Sequence, residues 1–163
     1  MKIIALYPIE QELIAAVIKK DRIAQKTLYD KYSPKMLAIC NRYIKEISEA
    51  EDVMITSFMK VFLQINQFRQ KGSLEGWIRR IMVNDCISYL RNKKQLIYFE
   101  DINEVENYEQ PSIEWQCELE ILEKIIECLP LGYQTIFNLY IIEGLKHHEI
   151  AKLLKIEIKA LER

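Results

Sequence analysis

Trp77, Arg80, Asn84, Ser88 and Arg91 follow one another at spacings of three and four, so a helix would place them on one face. An aromatic ring, two guanidinium groups and an amide in one row can stack on a base, grip phosphate and hydrogen-bond a base edge. Such a row suits an unstacked single strand better than an intact duplex. The same tryptophan could equally be a core residue, and the sequence leaves both readings open. The surrounding charge points to an anionic partner. Between Arg69 and Lys94 stand seven basic residues against two acidic ones, in a chain of formal net charge -1. A nearly neutral protein that is basic in one patch commonly holds that patch for nucleic acid, with a solvated helix face as the plain alternative.

The elements that must carry this row read as helices throughout. Half of the 163 residues are hydrophobic, only four are Gly and four Pro, and the apolar positions recur at three and four rather than two. Leu13, Ile14, Val17 and Ile18 form a first stripe. Asp21 is a candidate N-cap for a second helix bearing Ile23, Ala24, Leu28 and Tyr32. Ser33-Pro34 is expected to restart the chain, Ser as N-cap and Pro at the first helical position, giving a third helix with Leu37, Cys40, Tyr43 and Ile44 that ends near Ser48. A fourth begins around Glu49 and carries Ala50, Met54, Phe58 and Phe62, widened by Val53, Val61 and Ile65. Asp52, Thr56 and Lys60 lie on its other side, while Ile55 and Met59 fall outside the main stripe, which fits either simple packing or a docking surface. After the polar loop from Gln67, Ser73 can cap a fifth helix whose apolar side is Leu74, Ile78, Ile81, Met82, Cys86, Tyr89 and Leu90.

Past Lys94 the composition reverses. From Glu100 to Glu123 there are nine acidic residues and no Lys or Arg, with Asn103, Asn107 and Pro111 interrupting any helix. This reads as an acidic linker at a domain boundary, either a solvated tether or a mimic of nucleic acid. A second unit begins near Ser112, with a helix bearing Leu119, Ile121, Leu122, Ile125 and Ile126 that stops at Leu129-Pro130. A helix from Tyr133 to Glu143 closed by Gly144 follows. Next come a short helix His147 to Leu154, a turn at Lys155-Ile156 and a last helical start, Glu157 to Arg163. Two short helices about a tight turn match a helix-turn-helix. The fold class is therefore all-α: two small helical domains, 1–95 and 112–163, joined by an acidic linker at 96–111, the second a helix-turn-helix domain.

Other chemistries are disfavoured by residue type and spacing. Cys40, Cys86, Cys117 and Cys128 are scattered and form no C-x-x-C pair, so reduced core thiols are expected. His147 and His148 are adjacent, point about 100° apart on a helix and have no ligand partners at suitable spacing, so no metal site is expected. No nucleophile–base pairing or phosphate loop appears, and neither an enzyme nor a cofactor is expected. The N-terminal apolar run is too short for a signal peptide and no segment reaches the roughly 20 apolar residues of a membrane span. A cytoplasmic protein without membrane insertion is expected.

The order of these parts resembles the sigma factors of bacterial RNA polymerase, specifically the small extracytoplasmic-function (ECF) group. Asp21 to Tyr32 (DRIAQKTLYDKY), Glu49 to Phe62 (EAEDVMITSFMKVF) and Phe68 to Arg91 (FRQKGSLEGWIRRIMVNDCISYLR) look like successive pieces of that family's first domain. Leu129 to Ile156 (LPLGYQTIFNLYIIEGLKHHEIAKLLKI) looks like its second. The resemblance implies that Glu51, Asp52, Ile55, Thr56 and Met59 dock on the clamp helices of the polymerase β′ subunit, although Ile55-Thr56 replace a Gln and an acid usual there. It implies that Phe68, Arg69, Lys71 and Ser73 belong to the loop that receives a flipped base of the -10 element, and that Trp77, Arg80, Asn84 and Arg91 belong to the helix that opens and reads it. The second domain is similar to the one that binds the -35 element and the β flap. There His147, His148, Lys155 and Lys159 are the candidate contacts, with Lys146 and Lys155 standing where a Ser-like cap and a Gly are usual. The recognition helix is expected to be incomplete at Arg163 and -35 reading to be weak. An anti-sigma partner is also implied. The alternatives are a stand-alone helix-turn-helix regulator of duplex DNA and a helical protein-interaction module.

Overall fold

The computed structural model describes residues 10–69, 71–93, 124–157 and 161. Among these, every regular element is helical. The chain divides into two compact units between Tyr89 and Leu90, and the expected linker at 96–111 lies outside the described residues.

The first unit contains α1 (Glu10–Ile18), α2 (Arg22–Tyr43), α3 (Ile47–Gln64) with a 3-10 turn (Ile65–Gln67), and most of α4 (Leu74–Asn92). Asp21 caps α2 as its type predicts, its Oδ1 accepting from the amides of Ile23 at 2.7 Å and Ala24 at 3.2 Å. The expected restart at Ser33-Pro34 does not occur, because α2 runs unbroken through Pro34 and ends at Tyr43 rather than near Ser48. Leu28, Tyr32, Met36, Ile39, Cys40 and Tyr43 form one buried stripe across the proline, which itself sits on the exposed side. An interior proline costs about 3 kcal/mol, but each large buried side chain in the stripe contributes about 1.5–3 kcal/mol. Burial on both sides of Pro34 therefore outweighs the lost backbone bond. α3 begins at Ile47, two residues ahead of the expected Glu49, since the Glu46 carbonyl already accepts from Ala50 N–H at 3.0 Å.

The core forms where α1, α2 and α3 meet α4: Val17, Leu28, Met36, Tyr43, Phe58, Val61, Ile78, Met82 and Cys86 are all essentially inaccessible. Val83 and Ile87 of α4 join it, while Ile81 and Tyr89, expected there, are only half-buried. Polar contacts hold the elements in register. Tyr32 Oη donates to Glu10 of α1 at 2.8 Å, and Lys35 pairs with Glu75 of α4 at 2.9 Å. Cys40 and Cys86 are buried free thiols as core cysteines should be; Cys128 is exposed, against that expectation, and Cys117 lies outside the described residues.

The second unit contains helical residues 124–128, α5 (Leu131–Phe137), a π-helical turn (Asn138–Ile142) and α6 (His147–Leu154). α5 starts at Leu131 rather than Tyr133, directly behind Pro130. The helix expected to continue to Glu143 widens instead, with Glu143 N–H donating to the Asn138 carbonyl at 3.0 Å; Asn138 and Leu139 within the widened turn are both buried. Gly144 then takes φ +67, the left-handed conformation that a closing glycine supplies. Gln134, buried, donates through Nε2 to the carbonyls of Glu127 at 2.9 Å and Leu129 at 2.7 Å, satisfying the end of the preceding helical stretch. Ile125, placed by sequence in an apolar stripe, is exposed, and Ile126 half-buried. The core of this unit is Leu139, Ile150, Ala151 and Leu154.

Candidate nucleic-acid interface

The loop between α3 and α4 folds back to make a cavity of about 420 Å³ against the first turns of α4. Ser73 terminates the loop as a cap, its Oγ accepting from Gly76 N–H at 3.0 Å. Gly72 takes φ +105 with nothing within 4 Å of a hypothetical Cβ, so backbone conformation rather than space favours glycine there. Phe68 and Trp77 form the aromatic wall, ring centroids 5.7 Å apart and planes inclined by 48°. Arg69, Lys71 and Arg80 bring three cationic side chains to the rim, and no acidic residue lines the cavity. The volume falls in the range of roughly 300–1,000 Å³ typical of small-ligand sites.

Six of the eight residues expected to engage the -10 element are thereby gathered around one concavity: Phe68, Arg69, Lys71, Ser73, Trp77 and Arg80. Trp77 is neither fully buried nor freely projecting. It is half-buried, with part of its ring turned to the cavity. Asn84 lies outside the cavity on the exposed side of α4, one turn beyond Arg80, and Arg91 near the end of the helix is half-buried. Ser88 hydrogen-bonds back to the Asn84 carbonyl at 2.9 Å, leaving the Asn84 amide side chain on the surface. Among the described residues Arg80 makes no ion pair. The expected site residues did not include Gln67, Gly72 and Gly76, which also line the cavity. The signal that could have found Gly76 is the crowding of two of the chain's four glycines into five residues beside the basic run.

The proposed docking helix is α3. Glu51, Asp52, Ile55, Thr56 and Met59 are all exposed on it, while Ala50, Val53, Met54, Ser57, Phe58 and Val61 face inward. Ile55 and Met59 are 50% and 58% exposed, and Leu63, four residues further, is 76% exposed, so the outer side of α3 carries an apolar ridge that the core does not use. Beside it, Tyr29, Ser33, Pro34 and Leu37 of α2 with Glu51, Met54 and Ile55 of α3 line a cavity of about 440 Å³.

In the second unit His147 and His148 are exposed at the start of α6, and the His147 ring lies 4.9 Å from that of Tyr140. Lys146 precedes the helix where a small polar cap is more usual. Its ammonium has no lone pair to offer the helix amides, so only the reverse half of a capping box forms, Lys146 N–H donating to Glu149 Oε2 at 2.9 Å. Lys155 makes the turn in a left-handed conformation, φ +58 and ψ +44, with Ile156 N–H closing on the Ala151 carbonyl at 3.0 Å. Lys159 lies outside the described residues. Among the described residues no group of His, Cys, Asp and Glu could hold a metal ion, and no helix is long and apolar enough to cross a membrane.

Residues 28–95 match Sigma-70 region 2 and residues 119–163 match Sigma-70, region 4. The chain is 30% identical to the ECF RNA polymerase sigma-E factor of Haemophilus influenzae, with 89% of this chain and 83% of the relative aligned. It is 25% identical to the RNA polymerase sigma-H factor of Pseudomonas aeruginosa over 90% of this chain and 82% of the relative, and 26% identical to the ECF RNA polymerase sigma factor SigW of Bacillus subtilis over 89% and 84%. With both regions matched in order on the two helical units, the chain belongs to the extracytoplasmic-function group of the sigma-70 family, the sigma factors that direct RNA polymerase to promoters.

Proposed function

We propose that the first unit opens the -10 element and holds its non-template strand, with one flipped base in the cavity that Phe68 and Trp77 wall on one side. The observation that carries this reading is the pairing of an aromatic wall with three cations around a cavity of base-holding size. Phe68 and Trp77 supply a π-face; Arg69, Lys71 and Arg80 neutralise the flanking phosphates; Asn84, further along the exposed side, reads a base edge. Flipping a base costs a few kcal/mol and stacking returns roughly 1–3 kcal/mol per base. The balance is close to zero, so strand opening needs the binding energy of the polymerase.

That energy enters through α3. The apolar ridge Ile55–Met59, flanked by the carboxylates of Glu51 and Asp52, docks on the β′ clamp helices, the apolar contact compensating for the Gln and acid that Ile55-Thr56 replace. The second unit engages the β flap, with His147, His148, Lys155 and Lys159 as its contacts to the -35 region. An anti-sigma factor masks these surfaces in the unstimulated cell, and the protein works in the cytoplasm, where the polymerase is.

Reconstituted run-off transcription with core polymerase on a genomic DNA library tests the reading. Trp77→Ala should abolish start-site opening detected by permanganate while leaving polymerase association intact. Met59→Asp should abolish association itself. Wild-type opening by Trp77→Ala would refute the strand-holding role, and full association by Met59→Asp would refute the docking role.

A further inference from the structure

α3 and α4 are tied by one polar cluster that the strand-reading face does not include. The Asp85 carboxylate accepts a hydrogen bond from Ser57 Oγ at 2.8 Å through Oδ2 and pairs with Lys60 Nζ at 2.6 Å through Oδ1. Ser57 is fully buried, and its hydroxyl also lies 2.8 Å from the Val53 carbonyl, so its one proton serves either acceptor. The Asp85 side chain is 15% exposed against 48% for Lys60. The acid is therefore held in the interface between the helices and the ammonium closes it from outside. Asp85 directly follows Asn84 in the chain and precedes the buried Cys86, so whatever fixes its direction also fixes where Asn84 and, a little over one turn back, Arg80 point.

We propose that Asp85 is a positioning residue for strand recognition: the Ser57–Asp85–Lys60 cluster sets the rotation of α4 against α3 and thereby aims Asn84 and Arg80. The inference rests on the reading that the exposed face of α4 contacts a single strand. It couples the helix assigned to polymerase docking to the helix assigned to DNA through one carboxylate. Burial of Ile78, Met82 and Cys86 seats α4 in the core, and the cluster adds a direct polar tie between α3 and α4. The cluster is charge-assisted at one oxygen and reaches a buried hydroxyl at the other, the arrangement in which a polar contact restricts geometry most.

Charge and position make opposite predictions for the same substitution. Asp85 is an acid beside a nucleic-acid face, and Asp85→Asn removes it while releasing Lys60. If electrostatics alone mattered, single-strand binding would tighten. If the cluster positions α4, binding weakens despite the more favourable charge. Ser57→Ala separates the two further, because it leaves every charge in place and removes only the buried hydroxyl.

The test is fluorescence anisotropy of the full chain with a fluorescein-labelled single strand enriched from a random pool on the wild-type protein, at fixed salt and below each variant's unfolding transition. Loss of one such charge-assisted contact should weaken binding by about three- to tenfold for Asp85→Asn and by a smaller factor of the same sign for Ser57→Ala. The reversed pair, Lys60→Asp with Asp85→Lys, should recover most of the loss. Tightening or unchanged affinity in Asp85→Asn, with Asn84→Ala weakened, overturns the positioning role alone. Unchanged affinity in Asn84→Ala overturns the strand reading on which it rests. Should Asp85→Asn fail to fold, Ser57→Ala decides the matter by itself.

Discussion

The salt dependence of single-strand binding gives the sharpest test of the cavity walled by Phe68 and Trp77. Three cations, Arg69, Lys71 and Arg80, line it with no acid among the lining residues, so the proposed strand binding would neutralise up to three phosphates. For single strands each neutralised phosphate contributes about 0.7 to the slope of log K against log salt, so three predict a slope of about -2. Between roughly 50 and 200 mM salt, that slope corresponds to a loss of affinity of about 20-fold. Arg80→Gln removes one contact while keeping a polar side chain on the exposed surface of α4, and should bring the slope to about -1.4. Trp77→Ala removes stacking rather than charge, so affinity should fall with the slope nearly unchanged. The assay is anisotropy titration of the labelled strand at several chloride concentrations. A slope unaffected by Arg80→Gln would show that its guanidinium meets no phosphate. A slope altered as much by Trp77→Ala as by Arg80→Gln would show that the strand lies elsewhere.

Two further predictions concern stability. Lys155→Gly should raise the melting temperature of the second unit, since a left-handed non-glycine residue costs about 1–2 kcal/mol and the extra freedom of glycine in the unfolded chain returns only about 0.5–1 kcal/mol of that. Calorimetry showing an unchanged or lowered transition would contradict it. Tyr32 is held above its ordinary phenol range, first by burial, then by its hydrogen bond to the Glu10 carboxylate and by that carboxylate's charge. Its stabilising contribution is therefore complete below the unfolded-state value near pH 10 and is lost as pH rises through the folded-state value, because the unfolded chain sheds the proton first. Tyr32→Phe should lower stability by about 1 kcal/mol near neutral pH and flatten the alkaline limb of the denaturation profile. An alkaline limb identical to wild type would place the responsible group elsewhere.

The helical class, the cap at Asp21, the cap at Ser73 and the closing Gly144 were all legible from residue type, because each depends on chemistry within four residues. The restart at Ser33-Pro34 failed for the converse reason. A proline's local preference is worth about 3 kcal/mol, and the buried stripe from Leu28 to Tyr43, about four turns of α2, is worth more, but the stripe has value only once α1, α3 and α4 cover it. The π-helical turn at Asn138–Ile142 was likewise not legible from residue type.

For the site, periodicity identified a row and the family resemblance assigned its members, yet neither indicated that Phe68 and Trp77 come together as one wall of a cavity or that Asn84 stands outside it. A helical period specifies which residues share a side of one helix; it carries nothing about a loop that returns to meet that helix. Nor could spacing find Ser57, Lys60 and Asp85, which are 25 and 28 residues apart across the contact. What the sequence by itself determined was the helical class, the caps at Asp21 and Ser73, the closing Gly144 and the basic and aromatic row of candidates on α4, because short-range forces decide those. Only the tertiary structure decided which of those residues converge. Convergence depends on how burial turns one helix against another, and that is a property of the whole core rather than of any segment in it.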